Sequence, residues 1–436
     1  MPHIHFTQIA VYAPTTHILS SWMHPQDRQA EGLRSSEYWK NLARTLERGF
    51  FDGIFFADGI AVPDESEEGA LDSIALGTSC PRHDPFVVIP QMADVTKHLG
   101  FASTLSTASM PPYVAVRKIN SIDNITGGRF GWNIVMGHID ADFRALGIDP
   151  PPHDTRYDAG DEYMEICKRL WDAFPHDSMV MDKERRIFID VEKVKRIRYE
   201  GKYYKCDAYP IVACSPQGRP LLFQAGQSQR GMRFGVTHGD AFYAIQSRLE
   251  TMQQHMTAIR AAAREHGAAD PRVFFGIQPF IGSTEAEARR TLQELRDTIP
   301  IETAVHRLSA LVGVDLLEYD LDGSLEPFST QAGQGLLAAL KASHPDGNPT
   351  IREVAQFYSV SVGMPQFVGT PEQVADWVEG LWRQVGNYGF GISPNVTLKS
   401  MEDFVDQVIP ILRRRGLVRQ AYAGTTFREN LDQQEG

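Results

Sequence analysis

No apolar run in this 436-residue chain approaches the roughly 20 residues needed to cross a bilayer, which excludes a helical membrane protein. The opening residues, Met1-Pro2-His3-Ile4-His5, form no basic and apolar leader, so the expectation is a cytoplasmic protein. Positive charge is in deficit. Lys and Arg number 43 against 55 Asp and Glu, and the formal net charge of −12 repels nucleic acid and anionic lipid surfaces. The run Arg413-Arg414-Arg415 is too short to reverse this and suits a helix C-terminus before Gly416. Cysteine is scarce as well: Cys80, Cys167, Cys206 and Cys214 show no CxxC spacing, so neither a zinc site nor a redox pair is signalled. The histidines include no HExxH, and no GxGxxG follows the first strand candidate, which argues against a metalloprotease site and an open dinucleotide-binding sheet.

What the chain does contain is a regular alternation of short β-rich runs with amphipathic helical segments. Strand candidates are residues 5–13, 51–58, 100–108, 129–137, 220–225, 240–246, 272–282 and 388–393. About eight strand–helix units over this length predict an α/β fold of the (β/α)8 TIM-barrel class, as one domain spanning 1–436 with insertions at about 176–218 and 299–366. Helix starts are marked by Ser247-Arg248-Leu249-Glu250, Thr284-Glu285-Ala286-Glu287 and Thr370-Pro371-Glu372-Gln373, each with the spacing of a capping box.

A barrel of this kind works at the C-terminal ends of its strands, so polar residues there carry functional weight. Asp58 closes the apolar run Phe55-Phe56-Ala57, where a carboxylate needs a partner or caps the following loop. Asn133 lies inside the fourth strand, and its amide offers both a donor and an acceptor. His138 follows that strand and is the acid–base candidate; His17 follows the first strand. In Pro220-Leu221-Leu222-Phe223-Gln224-Ala225-Gly226-Gln227-Ser228 an apolar strand breaks at glycine and opens a helix at serine. Read alone, that motif is either an ordinary N-cap or a site for a phosphate. The Tyr157 hydroxyl is a second candidate for the anion, with plain packing as the alternative.

These residues resemble the bacterial-luciferase-like flavin-dependent monooxygenases, in the branch of the long-chain alkane, nitrilotriacetate, EDTA and dibenzothiophene-sulfone monooxygenases. The resemblance runs through nearly the whole chain. It is carried by residues 47–58 (ERGFFDGIFFAD), Asp84-Pro85-Phe86, Ser103-Thr104-Leu105-Ser106-Thr107, residues 127–135 (GGRFGWNIV), Arg156-Tyr157, residues 215–220 (SPQGRP), Gln224-Ala225-Gly226-Gln227-Ser228 and residues 368–376 (VGTPEQVAD). It implies reduced FMN as cofactor, supplied by a separate NAD(P)H-dependent flavin reductase, with O2 as co-substrate and a flavin (hydro)peroxide kept in a dry pocket. By the same resemblance Asp58, Thr107, Asn133 and His138 line the flavin ring, Tyr157, Gly226 and Ser228 hold the phosphate, and Ala225 also belongs to the cofactor site. His138 and His17 take the catalytic positions, His306 is a weaker candidate for the substrate pocket, and a homodimer or homotetramer is expected.

The chain departs from the family pattern at Ala13-Pro14-Thr15-Thr16-His17, where some relatives have cysteine, at Met136-Gly137-His138 and at Tyr388-Gly389-Phe390. These changes leave the substrate open. Tyr319, Phe328, Phe357 and Tyr358 in the second insertion favour an apolar or aromatic compound over a highly charged chelate. The alternatives are a deazaflavin-dependent hydride-transfer enzyme of the same superfamily and a flavin-binding protein without turnover.

Overall fold

The computed structural model describes residues 3–64, 66–78, 80–137, 139–329, 334–341 and 348–433. Eight parallel strands follow one another round a closed barrel: β1 (His5–Ala10), β2 (Gly53–Phe56), β3 (Gly100–Ser106), β4 (Phe130–Val135), β5 (Leu221–Gln224), β6 (Ala241–Ala244), β7 (Val273–Ile281) and β8 (Gly389–Ile392). The ring closes where β8 pairs with β1, His5 opposite Gly389 and Gln8 opposite Ile392. All eight expected strands are present, each shorter than its apolar run. The residues trimmed from the C-terminal ends, Ala57-Asp58 among them, leave the ladder and enter the loops of the active face.

The two-residue period of the strands sorts their side chains into two layers. On β2, Ile54 and Phe56 face outward into the layer shared with Trp39, Leu42 and Leu46, while Phe55 points into the barrel beside Phe223 and Tyr243. On β4, Phe130, Trp132 and Ile134 face the helices, which turns Asn133 inward. Five helices frame the active face: α1 (Glu67–Ala75), α2 (His153–Asp172), α3 (Gln229–His238), α4 (Ile301–Val312) and α5 (Ile351–Ser361).

The opposite end is sealed by the C-terminal helix Phe427–Asp432. The Phe427 ring plugs the barrel against Phe223, with centroids 5.7 Å apart, and a Cβ at Gly100 would stand 2.4 Å from that ring. Beside it Asp52, 1% exposed, accepts from the backbone N–H of Phe6 at 2.8 Å, lies 2.8 Å from His5 Nδ1 and pairs with the Arg419 guanidinium.

The first insertion folds as two antiparallel hairpins, Met179–Asp182 with Ile187–Ile189 and Ile197–Glu200 with Lys205–Ala208. The second forms α4 and α5 and returns through a strand, Gln366–Gly369, that extends the outer half of β7 from Gln278 to Ile281. Of the expected capping boxes, Thr370 with Gln373 forms completely. Thr284 caps its helix, but Glu287 turns to Ser283 instead of completing the box. At the third, Arg248 occupies the N-cap without a side-chain bond, and the Ser247 hydroxyl reaches toward Ala339 O at 3.5 Å. No helix among the described residues is long and apolar enough to cross a membrane.

Candidate active site

A cavity of about 540 Å3 opens at the C-terminal ends of the strands. His17, Asp58, Asn133, Tyr157, Ala225, Gly226, Ser228 and His306 all line it. Thr107 lies outside that lining, just past the end of β3: its hydroxyl points to Met136 Sδ at 3.6 Å, whereas Thr104, within β3, faces the cavity. His138 falls outside the described residues.

Asn133 and Thr104 stand opposite each other in the β3–β4 register. Thr104 Oγ1 donates to Phe56 O at 2.9 Å, so its oxygen is free to accept from Asn133 Nδ2, also at 2.9 Å. This relay fixes which way the amide points. Asn133 Oδ1 is left buried without a partner, an arrangement that costs free energy unless a donor arrives from the cavity.

At the end of β5, Ser228 caps α3 by accepting from the N–H of Gly231 at 3.1 Å. The cap reading and the anion reading are compatible, because the bond uses a lone pair of the hydroxyl and leaves its hydrogen available. Gln224 Oε1 accepts from the N–H of Gly226 at 2.6 Å, which folds the turn tightly over the strand end. The Tyr157 hydroxyl, delivered by α2, sits beside the Gln224 and Ser228 side chains. It fits only because residue 226 is glycine: a Cβ there would lie 2.6 Å from Tyr157 Oη. Two further cavity-lining residues that strand–helix counting had not singled out, His153 and Arg156, stand at the same end. His153 Nε2 is 3.4 Å from Ser228 Oγ, and the Arg156 guanidinium rests 4.5 Å from the Phe143 ring centroid.

Asp58 begins the loop after β2. Asp142 holds that loop by accepting from the N–H groups of Ile60 at 3.1 Å and Ala61 at 3.0 Å. Burial pushes the Asp58 carboxyl up to about 6, with the Arg82 charge opposing the rise. His17 is pulled down to about 3 by burial, reinforced by the charges of Arg307 and Arg82, and is therefore neutral at physiological pH.

The roof comes from the second insertion, through α4, α5 and Met364; the first insertion contributes nothing to the lining. His306 is buried on α4, its Nε2 3.6 Å from Asp72 Oδ2 on α1. Of the four aromatic residues expected to shape the pocket, Tyr358 lines it, whereas Tyr319 and Phe328 pack edge to face on each other, 5.0 Å between centroids.

The chain is 34% identical to the dibenzothiophene-sulfone monooxygenase of Rhodococcus erythropolis, covering 95% of this chain and 93% of that protein. It is 33% identical to the N-acetyl-S-(2-succino)cysteine monooxygenase of Bacillus subtilis (strain 168), covering 96% and 94%. The crystal structure of a riboflavin lyase with modified FMN and its substrate riboflavin superposes with a TM-score of 0.90 at 30% identity, over 98% of this chain and 95% of that one. Together with a family model that matches residues 15–388, these likenesses and the barrel that carries them establish that the chain belongs to the luciferase-like monooxygenases.

Proposed function

We propose that the cavity holds reduced FMN with its phosphate between Tyr157 and Ser228 and a ring edge at Asn133, leaving the space beneath the roof to an organic substrate. Membership of the family makes the protein a flavin-dependent, two-component monooxygenase that uses FMNH2 from a separate reductase together with O2. Bound reduced FMN supplies the electrons that activate O2 for transfer of one oxygen atom to the substrate.

The observation that carries the assignment is the pairing, in one cavity, of an unsatisfied buried acceptor at Asn133 with an N-cap hydroxyl flanked by His153 and Arg156. The first suits an N–H of a heteroaromatic ring. The second suits a phosphate, since the helix N-terminus, two hydroxyls and the Arg156 guanidinium all favour negative charge. Ile9, Phe55, Val135 and Met364 supply apolar walls that exclude water from the reacting centre. His17, neutral and 3.5 Å from Ser393 Oγ through Nδ1, acts as a hydrogen-bonding face on the substrate side and not as a charged acid. His138 remains the candidate for proton transfer beside the flavin.

The partner reading is a NAD(P)H-dependent flavin reductase and a second copy of this chain. The first insertion exposes Val180, Met181, Ile187, Phe188, Val191 and Ile211, with Phe188 63% exposed, on the hairpins and the segments that join and follow them. Such an apolar patch suits a homo-oligomer contact.

Anaerobic titration with FMNH2 followed by admission of 18O2 in the presence of a panel of organic compounds tests the assignment. Saturable binding at micromolar flavin and one labelled oxygen in a product support it; absence of flavin binding overturns it.

A further inference from the structure

Arg307 is the one strongly basic side chain that α4 presents to the cavity. Its Nε is buried without a hydrogen-bond partner, and its guanidinium lies 5.5 Å from the Tyr358 ring centroid. Among the described residues no carboxylate reaches it at ion-pair distance. The acids nearby are engaged elsewhere: Asp72 faces His306 at 3.6 Å, Asp142 holds the Ile60 and Ala61 N–H groups, and Asp58 is favoured by the charge of Arg82 and accepts from the Gly59 N–H. The Tyr358 phenol is a neutral partner and leaves the charge uncompensated.

The charge surroundings separate this place from the phosphate end. Arg156 and Arg230 act on Tyr157, whereas Arg307 and Arg82 act on His17. Arg156 and Arg307 thus face the cavity at separate places, and a flavin phosphate between Tyr157 and Ser228 meets only the first. Arg307 is half-buried, its Nε is buried and unpaired and the rest of its guanidinium faces the cavity, and its planar fork matches a carboxylate or a sulfur oxyanion.

Resting on the reading that places the FMN phosphate at Tyr157 and Ser228, we propose that Arg307 is the anion-recognition residue of the substrate subsite. The substrates are then organic acids, bearing a carboxylate, sulfinate or sulfonate that docks beneath α4 and α5 beside Tyr358 and His17. The aromatic face of Tyr358 receives the organic portion next to the anionic group. This replaces the apolar substrate expected from insertion aromatics, most of which point away from the cavity.

The test is calorimetric titration of the FMN-saturated protein with 3-phenylpropanoate and, separately, with its neutral counterpart 3-phenylpropanamide. The anion is expected to bind at least about tenfold more tightly than the amide, a gap that a charge-assisted bidentate contact supplies. Arg307→Gln is expected to erase the gap by weakening the anion alone, and Arg307→Lys to restore part of it. Equal affinities in the unaltered protein, no binding of the anion at millimolar concentration, or an undiminished gap in a folded Arg307→Gln variant overturns the proposal. The comparison of the two probes in the unaltered protein decides the matter even where the variant does not fold. FMN affinity measured in the same samples separates the two readings: lost flavin binding overturns the cofactor assignment, whereas intact flavin binding without anion preference overturns this one.

Discussion

Asn133 Nδ2 donates to Thr104 Oγ1 across the β3–β4 ladder, and the oxygen of the same amide is left without a partner. The hydroxyl orients the amide, and the amide offers an acceptor to the cavity. Asn133→Leu removes that acceptor and strands a ring N–H of the cofactor, an effect of ~1–3 kcal/mol, or about fivefold to 150-fold in FMN affinity. Thr104→Val, which only loosens the orientation, is expected to cost less. Flavin fluorescence titration of the two variants checks the order; unchanged dissociation constants in both would remove Asn133 from the cofactor site.

Ser228 has two duties, and they are separable. As N-cap its replacement by Ala costs about 1 kcal/mol of stability. As a phosphate donor its loss, together with Tyr157→Phe, is expected to reduce affinity for FMN strongly while leaving riboflavin, which lacks the phosphate, almost unaffected. Gly226→Ala acts at the same place by pushing a methyl to 2.6 Å from Tyr157 Oη. Melting curves and paired FMN and riboflavin titrations report the two duties independently.

Asp58 makes folding sensitive to pH in a defined direction. Burial raises its carboxyl from 3.8 to about 6, so the folded chain holds a proton that the unfolded chain has already released between those values. The favourable contribution is complete below about pH 4 and lost as pH rises through about 6. Asp58→Asn is therefore expected to raise the melting temperature relative to the parent at pH 7.5 and to change it little at pH 4. A constant difference across that interval would show that the carboxyl titrates normally.

At the sealed end, Asp52 joins His5, Arg419 and the Phe6 N–H in a fully buried group. Asp52→Asn leaves the guanidinium without its counter-charge and is expected to destabilise the barrel by about 3–5 kcal/mol, the usual result of breaking a buried pair from one side. Because the group lies away from the cavity, flavin affinity per folded molecule should hold. Urea unfolding and flavin titration of the same preparation distinguish these outcomes.

The barrel was legible because strand periodicity and turn chemistry are local. Phe55 between Ile54 and Phe56, or Asn133 between Trp132 and Ile134, announces its face by alternation alone. The Gly226–Ser228 turn was legible for the same reason, as a strand end next to a helix cap. Arg307 and Phe427 gave no such signal. Each owes its position to a segment far along the chain folding back onto the barrel, and nothing in their neighbours' spacing marks a cavity-facing cation or an aromatic plug. Ser247 shows the converse: a local capping pattern yielded to a tertiary contact with Ala339.

The short strand Gln366–Gly369 on the outer half of β7 has a consequence for how such proteins diversify. It stitches the end of the helical roof back into the scaffold, so residues 299–364 leave and rejoin the barrel at fixed points while the proposed cofactor contacts come from residues 58–228. On the proposed reading, Arg307 and the flavin contacts thus lie in separate stretches of chain. Exchanging the roof as a cassette is then expected to redraw what the protein accepts while leaving its hold on flavin in place.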